Sequence, residues 1–221
     1  MTIRASSVFL ASILAMPLFL LAAEDEGWEL KRDRDGIQVY TRPVEGSPYD
    51  AVRSVTIMDN VRLASLVALI QDAPACEDWA DRCDRSFVHE EISEFEVFVY
   101  TNNDMPFPVA DRDVLAHVIW QQDPQSLIVQ MNSEATTGRL DEIRGRSRLT
   151  DAKANWTFKP LADGRVEISN EAHIDPGSPL PGWITNMLLV DTPFVTMQAF
   201  IQEVTKPEYR DAEVGFVSEP N

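Results

Sequence analysis

The chain has 221 residues and a formal net charge of −17, from 36 acidic and 19 basic residues. This length suits one domain, and no internal repeat or low-complexity linker divides it. The negative charge argues against nucleic-acid binding, which depends on neutralising phosphates with Lys and Arg. It also argues against permanent attachment to an anionic bilayer. We therefore expect a single soluble domain.

The first 23 residues have the pattern of a secretory signal peptide. Arg4 supplies a positive charge, residues 8–21 are apolar, and Ala22-Ala23 precede the acidic Glu24-Asp25-Glu26. Cleavage there would leave 18 basic and 36 acidic residues and a net charge of −18. The alternative is an uncleaved N-terminal anchor, because a leucine lies where a small residue is favoured. The signal-peptide interpretation predicts an exported protein, periplasmic or secreted.

The next segment predicts a short helix followed by a pair of strands. Residues 28–34 are expected to form the helix, which Asp35-Gly36 would end. Residues 37–44 and 51–58 alternate as strands around a turn at 46–48.

A second helix is predicted over residues 61–71, with apolar residues at helical spacing. Asp59 or Asn60 would cap its start, and Pro74 would stop it.

Cys76 and Cys83 are the two cysteines of the chain. In an exported protein such a pair is expected to form a disulfide. Structural zinc takes four protein ligands, so two thiols make a poor zinc site. Redox motifs have Cys-x-x-Cys spacing, which this pair lacks. We interpret the pair as a structural disulfide and expect no cofactor or metal.

The middle of the chain is rich in strand patterns. Alternating apolar residues or strand-like composition mark residues 95–99, 113–120, 127–131, 143–149, 152–159 and 165–174. So many consecutive strands, with helices before and after them, predict an α+β fold built on a curved antiparallel sheet.

The C-terminal third changes to a helical period. Six apolar residues recur at gaps of 4, 3, 4, 3 and 4, namely Trp183, Met187, Val190, Phe194, Met197 and Ile201. Pro193 predicts a kink or a restart, with Asp191 or Thr192 as a new cap. A long helix with so broad an apolar face needs a large surface to cover, which the sheet would provide.

Several segments resemble a known family when taken in order. They are Gly36-Ile37-Gln38-Val39-Tyr40, the Trp79 segment, Met105-Pro106-Phe107-Pro108, Asp111-Arg112-Asp113, Trp156, residues 166–174 and residues 179–183. This set resembles START (steroidogenic acute regulatory protein-related lipid transfer) domains across residues 24–207, which leaves 208–221 as a C-terminal tail.

The resemblance implies a helix-grip fold, in which the sheet wraps around the long C-terminal helix and encloses an apolar cavity. It also implies binding and transfer of a sterol, phospholipid or related lipid without chemistry. Some sterol-handling relatives bury a charged pair in the cavity. Here strand alternation directs Val99, Val118 and Ile174 inward, so we expect a mostly apolar cavity.

Candidate ligand contacts follow from these faces. The C-terminal stripe contributes Trp183, Met187, Val190, Phe194 and Met197, because thioethers and aromatic rings adapt to varied lipid shapes. Ordinary core packing is the alternative for each of them. Trp120 and Trp156 lie on apolar strand faces and share this ambiguity.

Two polar residues have the alternation expected of inward positions. Asn170 would bind either a ligand head group or neighbouring backbone, because an unpaired buried amide costs about 1–3 kcal/mol. Arg112 would form a structural pair with Asp111 or Asp113, or else bind a head group.

Signs of catalysis are weak. The three histidines are His89, His117 and His173, and strand alternation directs the last two away from the cavity. The sequence contains no zinc-protease, nucleophile-elbow or phosphate-loop motif.

The preferred interpretation is an exported, non-catalytic, monomeric carrier of a hydrophobic molecule, in transient contact with membranes. Its ligand would pass between the terminal helix and the loops at 105–109 and 177–181. One alternative is a cyclase- or hydratase-like helix-grip enzyme with Arg112, Asn170 or Tyr100 as polar actors. Another is an interaction module whose cavity is filled by its own side chains.

Overall fold

A computed structural model describes residues 27–220, and the predicted signal segment lies outside this range. Ten strands form one open, largely antiparallel sheet. They are β1 (Glu29–Arg34), β2 (Ile37–Arg42), β3 (Ala51–Met58), β4 (Cys83–Ser93), β5 (Glu96–Asn103), β6 (Arg112–Gln122), β7 (Val129–Ala135), β8 (Ser147–Arg148), β9 (Asp151–Pro160) and β10 (Val166–Asp175).

The strand order is β1-β2-β3-β10-β9-β7-β6-β5-β4, and β8 pairs in parallel with β6 at the side of this path. The helices are α1 (Leu63–Gln71), α2 (Cys76–Trp79), α3 (Gly182–Asn186), α4 (Thr192–Glu203) and α5 (Pro207–Arg210). A 3₁₀ turn (Ala73–Ala75) precedes α2, and a π turn (Met187–Asp191) joins α3 to α4. The predicted α+β helix-grip fold is confirmed.

The segment before Asp35 is a strand, so the prediction of a helix over 28–34 was wrong. Asp35 and Gly36 have φ values of 52° and 76°. Positive φ at both central residues is characteristic of a type I′ turn, whose twist matches two antiparallel strands. The Asp-Gly pair therefore joins β1 to β2 as a hairpin.

The start of α1 also differs from the prediction. Neither Asp59 nor Asn60 caps it, and the helix begins at Leu63. The backbone N–H groups of Leu63 and Ala64 instead donate to the Glu219 carboxylate, at 3.0 and 2.9 Å. A carboxylate there satisfies donors that have no partner within the helix.

Two strands were misjudged because local patterns are weak at a sheet edge. The 11-residue strand β4 was not predicted, and its mostly exposed residues alternate poorly across several register shifts. In the predicted strand 143–149, two residues pair with β6 as β8.

The long C-terminal helix packs on β2, β3 and α2. Its interruption is the π turn, while Pro193 lies within the first turn of α4, where proline is tolerated. The Asp191 side chain caps no backbone group and accepts a hydrogen bond from Arg32 at 2.6 Å. By length and composition this helix could cross a membrane, but here Phe194, Met197 and Phe200 are buried in the core.

The predicted disulfide between Cys76 and Cys83 is present, with the two Cα atoms 5.9 Å apart. It holds α2 against the start of β4, and α2 contributes Trp79 to the hydrophobic core. The segment that carries the disulfide is therefore fixed between the sheet and α4.

Candidate lipid-binding cavity

Two adjoining cavities lie on the concave side of the sheet. The larger has a volume of about 690 Å³ and extends over β4, β5, β6, β7, β9 and β10. The smaller has a volume of about 240 Å³ and lies between the same sheet and the start of the terminal helix. Asn103, Asn170 and Thr196 line both, so the two spaces meet at these residues. The larger volume is in the range of small-molecule binding sites.

The wall of the larger cavity is mainly apolar. Strands β5 and β6 contribute Val97, Val99, Val114, Val118 and Trp120 to it. These residues reach the same space because alternate residues of a strand project to the same face.

An aromatic cluster forms the part of this wall nearest the helix. Trp79 and Trp156 line the cavity, with ring centroids 5.9 Å apart in an edge-to-face arrangement. Behind them lies the fully buried Phe200, 5.1 Å from Trp79 and 4.7 Å from Trp156. The three contacts hold the rings in place relative to each other and so determine the shape of this part of the wall.

Asn170 is half-buried where the two cavities meet. Its Nδ2 donates to the backbone oxygen of Asn155 at 3.3 Å, which is long for a hydrogen bond. Among residues 27–220 the side-chain oxygen has no hydrogen-bond partner. The predicted neighbouring-backbone contact is therefore present, and an acceptor remains available at the cavity wall.

Arg112 is 5% exposed and lines the smaller cavity. Its guanidinium donates to the backbone oxygens of Pro176, at 3.0 Å, and Ala110, and to Ser178 Oγ at 3.1 Å. The predicted pairing with Asp111 or Asp113 was wrong, because successive strand residues project to opposite faces. Arg112 instead joins the loops before β6 and after β10, which border the smaller cavity.

Asp113 faces the other side of β6 and forms a buried ion pair there. Arg148 donates to its two carboxylate oxygens at 3.1 and 3.0 Å. The Tyr100 hydroxyl donates to the same carboxylate at 3.1 Å and accepts from Arg146 at 2.6 Å. Burial raises the pKa of the Tyr100 phenol, an effect opposed by Arg146.

The polar residues considered for catalysis are not brought together. Arg112 and Asn170 line the smaller cavity, whereas Tyr100 lines neither cavity. No histidine lines either cavity of the described chain, and His117 bonds Glu96 at 2.8 Å on the outer face. Residues 27–220 also contain no cluster of three potential metal ligands.

The terminal stripe lies elsewhere than on the cavity wall. Phe194 and Met197 are buried in the core, Trp183 is 57% exposed, and Met187 and Val190 are half-buried in the π turn. None of the five lines either cavity. Their predicted ligand contact has no support from this placement, because Phe194 and Met197 pack in the core and the π turn changes the helical phase between them and Trp183.

A neighbouring face of the same helix borders the smaller cavity. It consists of Thr185, Leu188, Leu189, Thr192, Pro193 and Thr196. Four of them recur at helical gaps of 4, 3 and 4, namely Thr185, Leu189, Thr192 and Thr196. Because three of these four are threonines, the apolar pattern is weak. The extra residue of the π turn further shifts the helical phase between α3 and α4.

The C-terminal tail supplies another wall that the sequence did not indicate. Glu213, Val214, Gly215 and Phe216 line the larger cavity. The predicted domain boundary at 207 coincides with the first residue of α5, and the chain beyond it continues across the domain. The low apolar content of this tail gave no signal of such a role.

Comparison with known proteins gives consistent results. The sequence profile of the START domain matches residues 15–202. The chain is 30% identical over 190 residues to the uncharacterized protein PA1579 of Pseudomonas aeruginosa, covering 85% of this chain and 92% of that one.

Solved structures agree with this match. The STAR-related lipid transfer protein of Xanthomonas axonopodis superposes with a TM-score of 0.74 at 31% identity, covering 82% of this chain and all of that structure's chain. Human StAR-related lipid transfer protein 5 has a TM-score of 0.73 at 14% identity, covering 82% and 88%, and shows a shared fold alone. The chain therefore belongs to the START domain family, whose members bind lipids and other hydrophobic ligands.

Proposed function

We propose that this protein carries a lipid or similar hydrophobic molecule in the larger cavity and catalyses no reaction on it. The observation that carries the proposal is the cavity of about 690 Å³ with its apolar and aromatic wall. A module with its cavity filled by side chains would lack such a space. Arg112 and Asn170 line the smaller cavity and Tyr100 lines neither, so the three polar residues considered for an enzyme do not face one space, which supports the carrier over that alternative.

Desolvation supplies the driving force. Each buried methylene contributes about 0.8 kcal/mol, so a ten-carbon chain would contribute about 8 kcal/mol before the costs of association. Those costs are of similar size, about 4–15 kcal/mol. A preformed, rigid aromatic wall is therefore important, because ordering that wall on binding would reduce the affinity further.

Access is proposed through the smaller cavity. Met105, on the loop before β6, and Leu180, on the loop before α3, both line it. Beside them Phe107 is 93% exposed and Trp183 is 57% exposed. Exposed aromatic rings at the mouth of an apolar cavity suit transient insertion into the interface of a bilayer.

A membrane test follows from this geometry. Replacing Phe107 and Trp183 by Ser should reduce co-sedimentation with zwitterionic vesicles and slow lipid exchange. The control is Ile57→Ser together with Ile119→Ser, because these are also exposed large apolar residues, on β3 and β6, and they line neither cavity. Equal vesicle binding by the two double variants would refute the assigned surface.

Export is proposed on two grounds. The disulfide requires an oxidising compartment to persist, and the N-terminal sequence has the pattern of a signal peptide. Fractionation of cells that express the full chain, with thiol labelling of each fraction, tests this. Reactive thiols on protein recovered from the cytoplasm would contradict it.

Ligand binding is tested on the mature chain, purified without detergent. Native and denaturing mass spectrometry should detect a bound hydrophobic molecule, and lipid mixtures should reload a stripped sample. Ala154→Trp projects an indole into the cavity and should abolish loading, whereas Ala162→Trp lies in an exposed turn outside it. Thermal unfolding of both variants verifies that each is folded. A protein that stays empty in all lipid mixtures would refute the proposal.

A further inference from the structure

The C-terminal strap, defined here as residues 211–220, follows the end of the family match at residue 202. Four of its residues, Glu213 to Phe216, line the larger cavity. We propose that this strap is part of the ligand site and that the head group beneath it is uncharged or cationic. This inference rests on the proposed function and specifies the chemical class of the ligand.

The strap is held at both ends by α1. At its start, Arg62 Nη1 donates to the Ala212 backbone oxygen at 3.0 Å. Near its end, Glu219 accepts from the backbone N–H groups of Leu63 and Ala64 at 3.0 and 2.9 Å. Both contacts are at the start of α1, so the intervening residues form a loop whose two ends are held at one place, and part of this loop lines the cavity.

The middle of the strap contacts the strands opposite α1. The Phe216 ring lies 5.0 Å from Phe95 and 6.3 Å from Trp120, between ring centroids. Ser218 and Gln122 exchange two hydrogen bonds, of 2.7 and 2.8 Å. These contacts place Phe216 against Trp120, which lines the same cavity. A ligand that occupies this end contacts the strap.

The backbone of the strap also lies close to the β4–β5 turn. A Cβ atom added at Gly215 would lie 3.3 Å from Glu94 Oε2. A side chain there would push against the Glu94 carboxylate. The Glu94 carboxylate therefore lies beside the strap at the edge of the cavity.

The charge at this end is of one sign. The carboxylates of Asp72, Glu91, Glu94 and Glu213 line the larger cavity, and all four residues are exposed. In the described chain no Lys or Arg lines this cavity. Its exposed rim is therefore open to water and carries a negative potential, which repels an anionic head group.

The smaller cavity differs in charge. It is lined by Arg82 and Arg112 together with Asp50 and Asp81, so both signs are present. An anionic head group would be more favourable near Arg112 than beneath the strap. The larger cavity therefore favours a neutral or cationic head group, whereas the smaller cavity could also bind an anionic one. Probes that have the same chain length and different head-group charge distinguish these two cases.

The test measures displacement of the neutral fluorophore N-phenyl-1-naphthylamine from the stripped mature protein. The competitors are dodecylamine, dodecanol and dodecanoate, each below its micelle concentration. We expect dodecylamine to bind at least about fivefold more tightly than dodecanoate at low ionic strength, and the ratio to fall as salt screens the rim. Dodecanol should bind with intermediate affinity.

Two sets of variants assign the effect. Glu94→Gln with Glu213→Gln should reduce the amine-to-carboxylate ratio at least about twofold, because the rim charge is halved. Glu45→Gln with Glu208→Gln removes equal charge from exposed positions outside both cavities and should leave the ratio unchanged. Phe216→Ala should weaken all three competitors, whereas Val217→Ala, a strap residue that does not line the cavity, should not.

The outcomes separate the two levels of the proposal. Tightest binding of dodecanoate, or a salt-independent ratio, would overturn the assigned ligand charge while leaving a hydrophobic carrier. Equal affinities of Phe216→Ala and Val217→Ala would overturn the role of the strap. Failure of the fluorophore and all three competitors to bind would overturn the carrier function and this inference with it.

Discussion

Replacing Arg112 or Arg148 by Met should lower the unfolding free energy by different amounts, because the two guanidinium groups have different hydrogen-bond partners. Arg112 is 5% exposed and donates to three neutral oxygens, those of Pro176, Ala110 and Ser178. Arg148 has an equally buried side chain and pairs with a carboxylate that is 1% exposed, that of Asp113. Both substitutions remove one charge from an almost completely buried position.

The expected losses follow from the groups that remain. After Arg112→Met, water can reach the exposed Ala110 and Ser178, so the buried Pro176 carbonyl is the main uncompensated acceptor. One such unpaired group costs about 1–3 kcal/mol of unfolding free energy. After Arg148→Met, the Asp113 carboxylate remains buried without its ion pair, which costs about 3–5 kcal/mol.

Urea unfolding of stripped protein, followed by tryptophan fluorescence, measures both losses. Asp113→Asn added to Arg148→Met should recover part of the loss, because an amide is less costly to bury than a charge. The same second substitution in wild-type protein should be destabilising. A loss for Arg112→Met equal to or greater than that for Arg148→Met would refute the reasoning from neutral and charged partners.

Three further predictions concern residues that line the larger cavity or contact its lining. Replacing Cys76 and Cys83 by Ser should lower the unfolding free energy by about 2–3 kcal/mol, measured by urea titration, because a short loop is no longer closed in the unfolded chain. Burial and the Asp72 hydrogen bond raise the pKa of the Tyr209 phenol. The neutral phenol therefore stabilises the fold below about pH 10, and this contribution is lost as pH rises further. Urea titrations at alkaline pH should show that wild-type protein loses stability more steeply than Tyr209→Phe. Trp156→Ala should cost about 3–5 kcal/mol on thermal or urea unfolding and weaken fluorophore binding, since the residue is both core and cavity wall.

The strands that line the cavity were predictable where one face is apolar. Val118 and Trp156 were assigned inward because a strand has two faces, and one apolar side chain establishes which face is buried. The same logic failed for β4, since an exposed edge strand has no buried face to mark it. It also failed for β1, where the Asp35-Gly36 hairpin signal was interpreted as a helix end.

The helix residues were less predictable. A helix has more than two faces, and here one face packs on the sheet while another borders the cavity. The apolar stripe that contains Phe194 and Met197 marks the first of these, whereas Thr192 and Thr196 lie on the second. No local pattern distinguishes a face that is covered by protein from a face that encloses empty space.

The sequence by itself determined the sheet-forming periods, the cysteine pair and the order of segments that identifies the family, because each depends on residues close together along the chain. Tertiary structure decided which helix face borders the cavity, that Arg112 joins two loops, and that Glu219 and Phe216 return to α1 and Trp120. These features depend on contacts between distant segments. Their energies are set by the geometry of the closed fold, which local periodicity does not encode.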